Sequence, residues 1–286
     1  MPVRVLCLHG MGVDANVFRS QTSVFRSLLP SGYEFIFVDA PVLCDPSPGA
    51  ADFYAGPYRC WYNTPSREKV AKAHARIHKL ISECGSFDVV MGFSQGAALA
   101  ASLLLHQQIE RPEDPPLFKA AIFICSPLPF SRSIDYGIDV RVYFGISPVS
   151  PLPAGRPSTV PDYLVADKYF LRNDKDLSET RAKRTAATVT SGFAKVDKQS
   201  SGDIHGPFYN LFHPAVDGAR IMVPTGHIYG KRDTWRRHSM DLVGLCDARK
   251  VVRFEHDGGH EIPKGASEEI CDLFEEVIAS AGLVPS

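Results

Sequence analysis

Residues 87–105 read FDVVMGFSQGAALAASLLL, and this stretch decides the fold. Phe87 to Phe93 is a short apolar run of strand length, and Ala97 to Leu105 is a run of strong helix formers. Between them Gly92-Phe93-Ser94-Gln95-Gly96 puts a serine where strand turns into helix, with a glycine two residues to either side. A turn this sharp presents the serine hydroxyl at its apex, and glycines at 92 and 96 remove side chains that would block strand and helix from approaching. The competing explanation is a chance pentapeptide on a surface loop, against which the flanking strand and helix both count. At a helix N-terminus the serine also meets a dipole that favours an anion formed during reaction.

Outward from this segment the same alternation repeats. Val3–Leu8, Tyr33–Val38, Ala120–Cys125, Ile221–Tyr229 and Val251–Glu255 read as further strands. Ala15–Leu29, Arg67–Cys84, Gln95–His106, Thr234–Leu245 and Ser267–Ala281 read as helices. Apolar strands separated by helices imply a mainly parallel, doubly wound sheet, and with the serine turn the expectation is an α/β-hydrolase fold, one domain spanning 1–286. The pattern breaks at about 131–217, where Pro148, Pro151, Pro153, Pro157 and Pro161 cluster and charges crowd 167–203. This long insertion precedes the strand expected to carry the acid. Tyr163, Leu164, Tyr169, Phe170, Phe208, Tyr209 and Phe212 give it apolar material to pack, so it reads as a partial lid, with a disordered linker as the alternative.

With 31 basic and 32 acidic residues the 286-residue chain has almost no net charge, which removes any global attraction to nucleic acid or an anionic membrane. A neutral small-molecule substrate fits better. Seven scattered cysteines without metal-ligand spacing read as reduced thiols; with no leader-like or membrane-spanning segment, the expected location is the cytoplasm. No Walker loop, dinucleotide fingerprint or metal cluster is present, so no cofactor and no metal are expected.

A serine hydroxyl is a weak nucleophile at neutral pH and needs a histidine base, itself oriented by an acid. His260 follows the Val251–Glu255 strand through His256-Asp257-Gly258-Gly259, a loop able to swing an imidazole inward; His256, at the strand end, is its rival. Asp233 comes just after Ile221–Tyr229 and Gly230-Lys231-Arg232, at the strand's C-terminal end where catalytic groups of open α/β sheets gather. Its alternative duty is to cap the helix that follows, and Asp241 and Asp247 are weaker candidates for the acid. Two backbone N–H groups should hold the oxyanion: Gln95, after the serine, and Met11 in His9-Gly10-Met11-Gly12. His9 reads as a residue that holds this loop by hydrogen bonding. Phe53, Tyr54 and Trp61 from the aromatic stretch 53–62, and Ser126 and Phe130 beyond the Ala120–Cys125 strand, are the expected substrate-binding residues.

Leu8-His9-Gly10, Gly92-Phe93-Ser94-Gln95-Gly96-Ala97-Ala98, His227-Ile228-Tyr229-Gly230-Lys231-Arg232-Asp233 and His256-Asp257-Gly258-Gly259-His260-Glu261-Ile262-Pro263 occur in this order. Together they resemble the fungal FSH-type serine hydrolases over about residues 3–130 and 220–280. The resemblance implies a cytosolic hydrolase related to carboxylesterases, in a family several of whose members are thioesterases that release polyketide chains from a synthase carrier domain. It carries the triad onto Ser94, Asp233 and His260, but transfers no substrate; the long middle segment departs from the shortest members. The leading expectation is therefore a polyketide-type acyl thioesterase whose substrate arrives on a carrier domain. A general carboxylesterase, an enzyme that passes the acyl group to a carbon or alcohol nucleophile, and a non-catalytic binding protein remain as alternatives.

Overall fold

Along Val3–Leu8, Val3, Val5 and Cys7 pack into one apolar cluster while Leu6 and Leu8 pack into another, and all five are buried. A strand apolar on both faces must lie between two layers. The computed structural model of the chain, which describes residues 1–140 and 210–286, has that layering. In chain order the elements are β1 (Val3–Leu8), α1 (Ala15–Gln21), α2 (Ser23–Leu28), β2 (Tyr33–Val38), β3 (Val42–Leu43), β4 (Arg59–Cys60), α3 (Arg67–Cys84), β5 (Val89–Phe93), α4 (Gln95–Glu110), β6 (Ala120–Ile124), β7 (Phe130–Ser131) and β8 (Ile138–Asp139). Beyond 141–209 follow β9 (Asn210–Leu211), β10 (Thr225–Gly230), α5 (Arg236–Val243), β11 (Val251–His256) and α6 (Ser267–Ser280).

The main sheet has the order β11-β10-β6-β5-β1-β2 and every neighbouring pair is parallel. Phe18 of α1, Phe25 of α2 and Ile270, Phe274 and Val277 of α6 cover one face; Val70 and Ile77 of α3, Leu99 and Leu103 of α4 and Leu242 of α5 cover the other. This is the α/β-hydrolase fold. Full burial of rings such as Phe18, Phe123 and Phe274 contributes on the order of 1.5–3 kcal/mol each. Because β1 lies between β2 and β5, the connection after β1 goes to one face and that after β5 to the other. Their divergence opens a crevice at the strands' C-terminal ends, where such sheets bind ligands.

Two expected elements differ in detail. The helix expected over 15–29 is divided at Thr22, whose buried hydroxyl donates to the Phe18 carbonyl at 2.9 Å and competes with the helical ladder. The strand expected from Ile221 begins at Thr225: Pro224 has no N–H for the ladder, and Ile221 makes only an isolated bridge to Cys246.

The expected insertion, 131–217, is described only at its two ends. There β9 pairs antiparallel with both β7 and β8, which sets the entering and leaving chains side by side, and Phe212 is fully buried in the core. The rest of the expected lid, including Tyr163, Leu164, Tyr169, Phe170, Phe208 and Tyr209, lies outside the described residues. No helix among the described residues is long and apolar enough to cross a membrane.

Candidate active site

Ser94 stands between β5 and α4, as the N-cap of α4, with φ 52° and ψ −119°, a conformation that non-glycine residues rarely adopt and that costs on the order of 1–3 kcal/mol. The close packing around the turn needs its glycines: a β-carbon on Gly92 would lie 2.4 Å from the Ala97 nitrogen, and one on Gly96 2.1 Å from the Leu8 carbonyl oxygen. Strand and helix are thus clamped together, and the serine projects from the bend between them.

Two loops from adjacent parallel strands complete the site around it. His260, in the loop after β11, has Nε2 2.9 Å from Ser94 Oγ, while its Nδ1 stands 2.9 Å from Asp233 Oδ2. The ring lies 5.1 Å from that of Phe93. Asp233, after β10, has a fully buried side chain whose Oδ1 accepts from the Trp235 N–H at 2.8 Å. Burial alone would raise its pKa, but the hydrogen bond and charge of His260, the Trp235 N–H and the Cys125 thiol outweigh burial and hold the carboxyl below its ordinary value. An ionised carboxylate can only accept a hydrogen bond, so His260 Nδ1 carries the ring proton and donates it, which leaves Nε2 free to accept the Ser94 hydroxyl proton. The acid and base loops are also joined through the backbone: Arg232 N–H donates to the Gly258 carbonyl at 2.9 Å and Lys231 N–H to the His256 carbonyl at 2.8 Å. A β-carbon on Gly230 would sit 2.3 Å from the Gly259 oxygen, so only glycine allows this join.

The remaining sequence candidates separate cleanly. His256 is buried and turned away, its Nδ1 accepting from the Gly258 N–H. Asp233 serves its own loop as well as His260, and α5 begins later, at Arg236. Asp241 and Asp247 lie elsewhere: the first is 3.7 Å from His213, and the second caps the turn before β11. His9 is fully buried; its Nδ1–H donates to the Gly10 carbonyl at 2.7 Å and its Nε2 accepts from the Ala40 N–H at 3.0 Å. Burial lowers its pKa, so a neutral ring holds the Gly10–Gly12 loop. That loop carries Met11, whose N–H meets no acceptor among the described residues, and Gln95 begins α4 with the unshared N–H of a first helical residue.

Met11, Gln95, Ser94 and His260 all border one cavity of about 640 Å³. Phe53, Tyr54 and Phe130 line it as expected, together with Val13, Ala50, Tyr62, Phe93 and Trp235. Trp61 and Ser126 do not. Trp61 is buried beneath the first loop, its indole N–H donating to the His9 carbonyl at 2.9 Å, and Ser126 is buried with its hydroxyl on the Pro127 carbonyl. The side chain of Gln95 explains which ring faces the cavity: its Oε1 accepts from the Trp61 N–H at 2.8 Å and its Nε2 donates to the Tyr62 carbonyl at 2.7 Å, fixing the strip so that Tyr62 points inward.

Cys125, missed in the sequence, stands beside the acid: its Sγ, a carboxylate oxygen of Asp233 and a ring nitrogen of His260 lie within 4.8 Å of one another. Such a set offers three metal-ligand types, but both His260 nitrogens are engaged by Ser94 and Asp233, and burial pushes the Cys125 thiol well up. The chemistry the cluster fits is proton relay to a serine oxygen, in front of two N–H donors and an apolar cavity.

Comparison with known proteins identifies the family. A family model described as serine hydrolase (FSH1) matches residues 1–270. Esterase alnB of Emericella nidulans is 30% identical over 273 residues, covering 93% of this chain and 92% of alnB. Hydrolase FUB4 of Fusarium oxysporum f. sp. lycopersici is 29% identical over 280 residues, covering 96% and 97%. Among solved structures, RedJ with a PEG molecule bound in its active site superposes with a TM-score of 0.51 at 14% identity, over 96% of this chain and 91% of RedJ, a likeness of fold.

Proposed function

From the premise that this chain belongs to the FSH1 serine hydrolase family and is a hydrolase, we propose that it is a thioesterase releasing a polyketide-type acyl chain from a carrier-protein thioester. The observation that carries the reading is the unbroken line from Asp233 through His260 to Ser94 at the wall of an apolar cavity. Ser94 Oγ attacks the thioester carbonyl as its proton passes to His260 Nε2, and Asp233 stabilises the imidazolium. The N–H groups of Met11 and Gln95 hold the tetrahedral oxyanion. Collapse expels the thiolate, a leaving group that needs no prior protonation; it then takes the His260 proton and departs as the thiol, which restores the neutral imidazole. Water, deprotonated by His260, attacks the Ser94 ester, and the same proton passes to Ser94 Oγ as the free acid is released.

The thioester is supported by the family resemblance of the four motifs, and a cavity of this size and apolar lining suits an extended acyl chain. A carboxylesterase uses the same triad, and the relatives named as esterases favour it as the second reading.

The test is mass spectrometry of the wild-type chain and Ser94→Ala with acyl thioesters and their matched oxygen esters, following the acylated peptide and the products. Acyl-Ser94 and free acid from thioesters, absent in the variant, are expected. Preferential cleavage of the oxygen esters replaces the thioesterase by a carboxylesterase, and turnover by Ser94→Ala removes Ser94 from the chemistry.

A further inference from the structure

The two non-glycine residues with positive φ among the described residues are Ser94 and Cys125. The first is explained by the serine turn. The second, at φ 48°, is the first residue beyond β6 and makes no contact required by the mechanism above. If the turn alone mattered, glycine would satisfy it without strain, so a β-carbon held in this conformation points to what the side chain touches.

The Cys125 backbone is anchored by its N–H on the Ile228 carbonyl at 2.7 Å, and the side chain is wholly buried. Its thiol donates to the carbonyl oxygen of Glu261, the residue next to the base, at 3.4 Å, and its Sγ lies within 4.8 Å of a carboxylate oxygen of Asp233 and a ring nitrogen of His260. Burial, with the negative charge of Asp233 beside it, keeps the thiol protonated and therefore a donor.

We propose that Cys125 is a positioning residue of the hydrolase: its thiol, seated beside the Asp233 carboxylate, ties the end of β6 to the loop that carries His260 and keeps the imidazole in line with the acid. The proposal rests on the triad roles given above. Removing the thiol frees the Glu261 carbonyl and lets the base loop drift from the 2.9 Å contacts that His260 makes with Asp233 and Ser94.

The experiment measures kcat and KM for p-nitrophenyl butyrate from pH 5 to 9 with the full chain and its Cys125→Ala, Cys125→Gly and Cys125→Ser variants. Cys125→Ala and Cys125→Gly are expected to lose about tenfold in kcat with little change in KM. Cys125→Ser, which restores a donor at the same place, should recover the rate. Cys125→Gly relieves the backbone and should fold and melt at or above Cys125→Ala, which separates a cost in stability from a cost in rate. A kcat within twofold of wild type in the alanine and glycine variants would overturn the proposal, as would a serine variant as impaired as alanine. Turnover by Ser94→Ala in the same assay would instead defeat the triad reading itself.

Discussion

Replacing Asp233 by asparagine changes one atom of a fully buried side chain, yet the geometry makes the consequence for the serine specific. Oδ1 accepts from the Trp235 N–H at 2.8 Å, so the amide carbonyl must take that place; an NH2 there would face another donor. The NH2 is then directed at His260 Nδ1, 2.9 Å from Oδ2 in the wild type, and that nitrogen must become an acceptor. The ring proton moves to Nε2, which stands 2.9 Å from Ser94 Oγ and can no longer receive the hydroxyl proton. A wrong tautomer of this kind is worth roughly 10³–10⁴ in rate, or about 4–5.5 kcal/mol of transition-state stabilisation. The assay is kcat/KM for p-nitrophenyl butyrate at pH 7.5, with thermal melting to establish that the variant is folded and with the rate of fluorophosphonate labelling of Ser94 as a second readout. Both rates should fall together. A folded Asp233→Asn chain with kcat/KM within tenfold of wild type would refute the reasoning, because His260 would then be acting without the tautomer that Asp233 imposes.

The other expectations concern packing, acid and the cavity. Gly96→Ala places a β-carbon 2.1 Å from the Leu8 carbonyl oxygen, a clash with backbone that only movement of β1 or α4 relieves; a loss of roughly 3 kcal/mol and about 5–10 °C in Tm is expected by calorimetry, and a wild-type Tm would contradict the packing. Burial lowers the pKa of His227 to about 3 and those of His106 and His238 to about 4, against about 6.5 in the unfolded chain. Since these folded-state values are depressed, the unfolded chain binds more protons below pH 6.5, and stability present above that pH is lost as it falls toward 4, by up to roughly 3 kcal/mol for each histidine. Asp233, whose carboxyl is also held down, adds a loss at still lower pH. Melting from pH 7.5 to 4 should trace this decline, and a flat Tm between 6.5 and 4.5 would reject it. Phe53 is 82% exposed at the cavity, so Phe53→Ala should cost less than about 0.5 kcal/mol of stability while raising KM several-fold for long acyl chains and leaving acetyl substrates unchanged.

The serine turn was legible because its chemistry and its sterics demand the same residues: a serine at the apex and glycines where a β-carbon would meet backbone. The six strands of the sheet were legible for a related reason, since burial on both faces leaves few residue types available; in Val89–Phe93 and Ala120–Ile124 every residue is buried. His260 and Asp233 could be read from their places after strands, although nothing local distinguishes an acid that orients a histidine from one that caps a helix. Asp233 shows why: its two oxygens divide between His260 and the Trp235 N–H, and the same residue type suits both duties. Trp61 was not legible. Which of several neighbouring aromatics faces the cavity is decided by Gln95, 34 residues away, and no periodicity within 53–62 encodes that contact.

Cys125 was hidden for the same physical reason. In sequence it is the apolar end of a strand; its hydrogen bond runs to residue 261 and its sulfur stands beside Asp233, on separate loops that meet only when β6, β10 and β11 lie side by side. The parallel sheet brings the C-terminal ends of these strands to one edge, and the backbone bonds from Lys231 and Arg232 to His256 and Gly258 fix the acid and base loops as a pair. Ser94 is held from the other side by the clamp of β5 against α4 and by its own N–H on the Ile124 carbonyl, one residue before Cys125. A displacement at the end of β6 therefore acts on the serine through Ile124 and on the acid through Cys125. The end of β6, which contributes no group to the proton relay itself, is the shared support of both halves of the site.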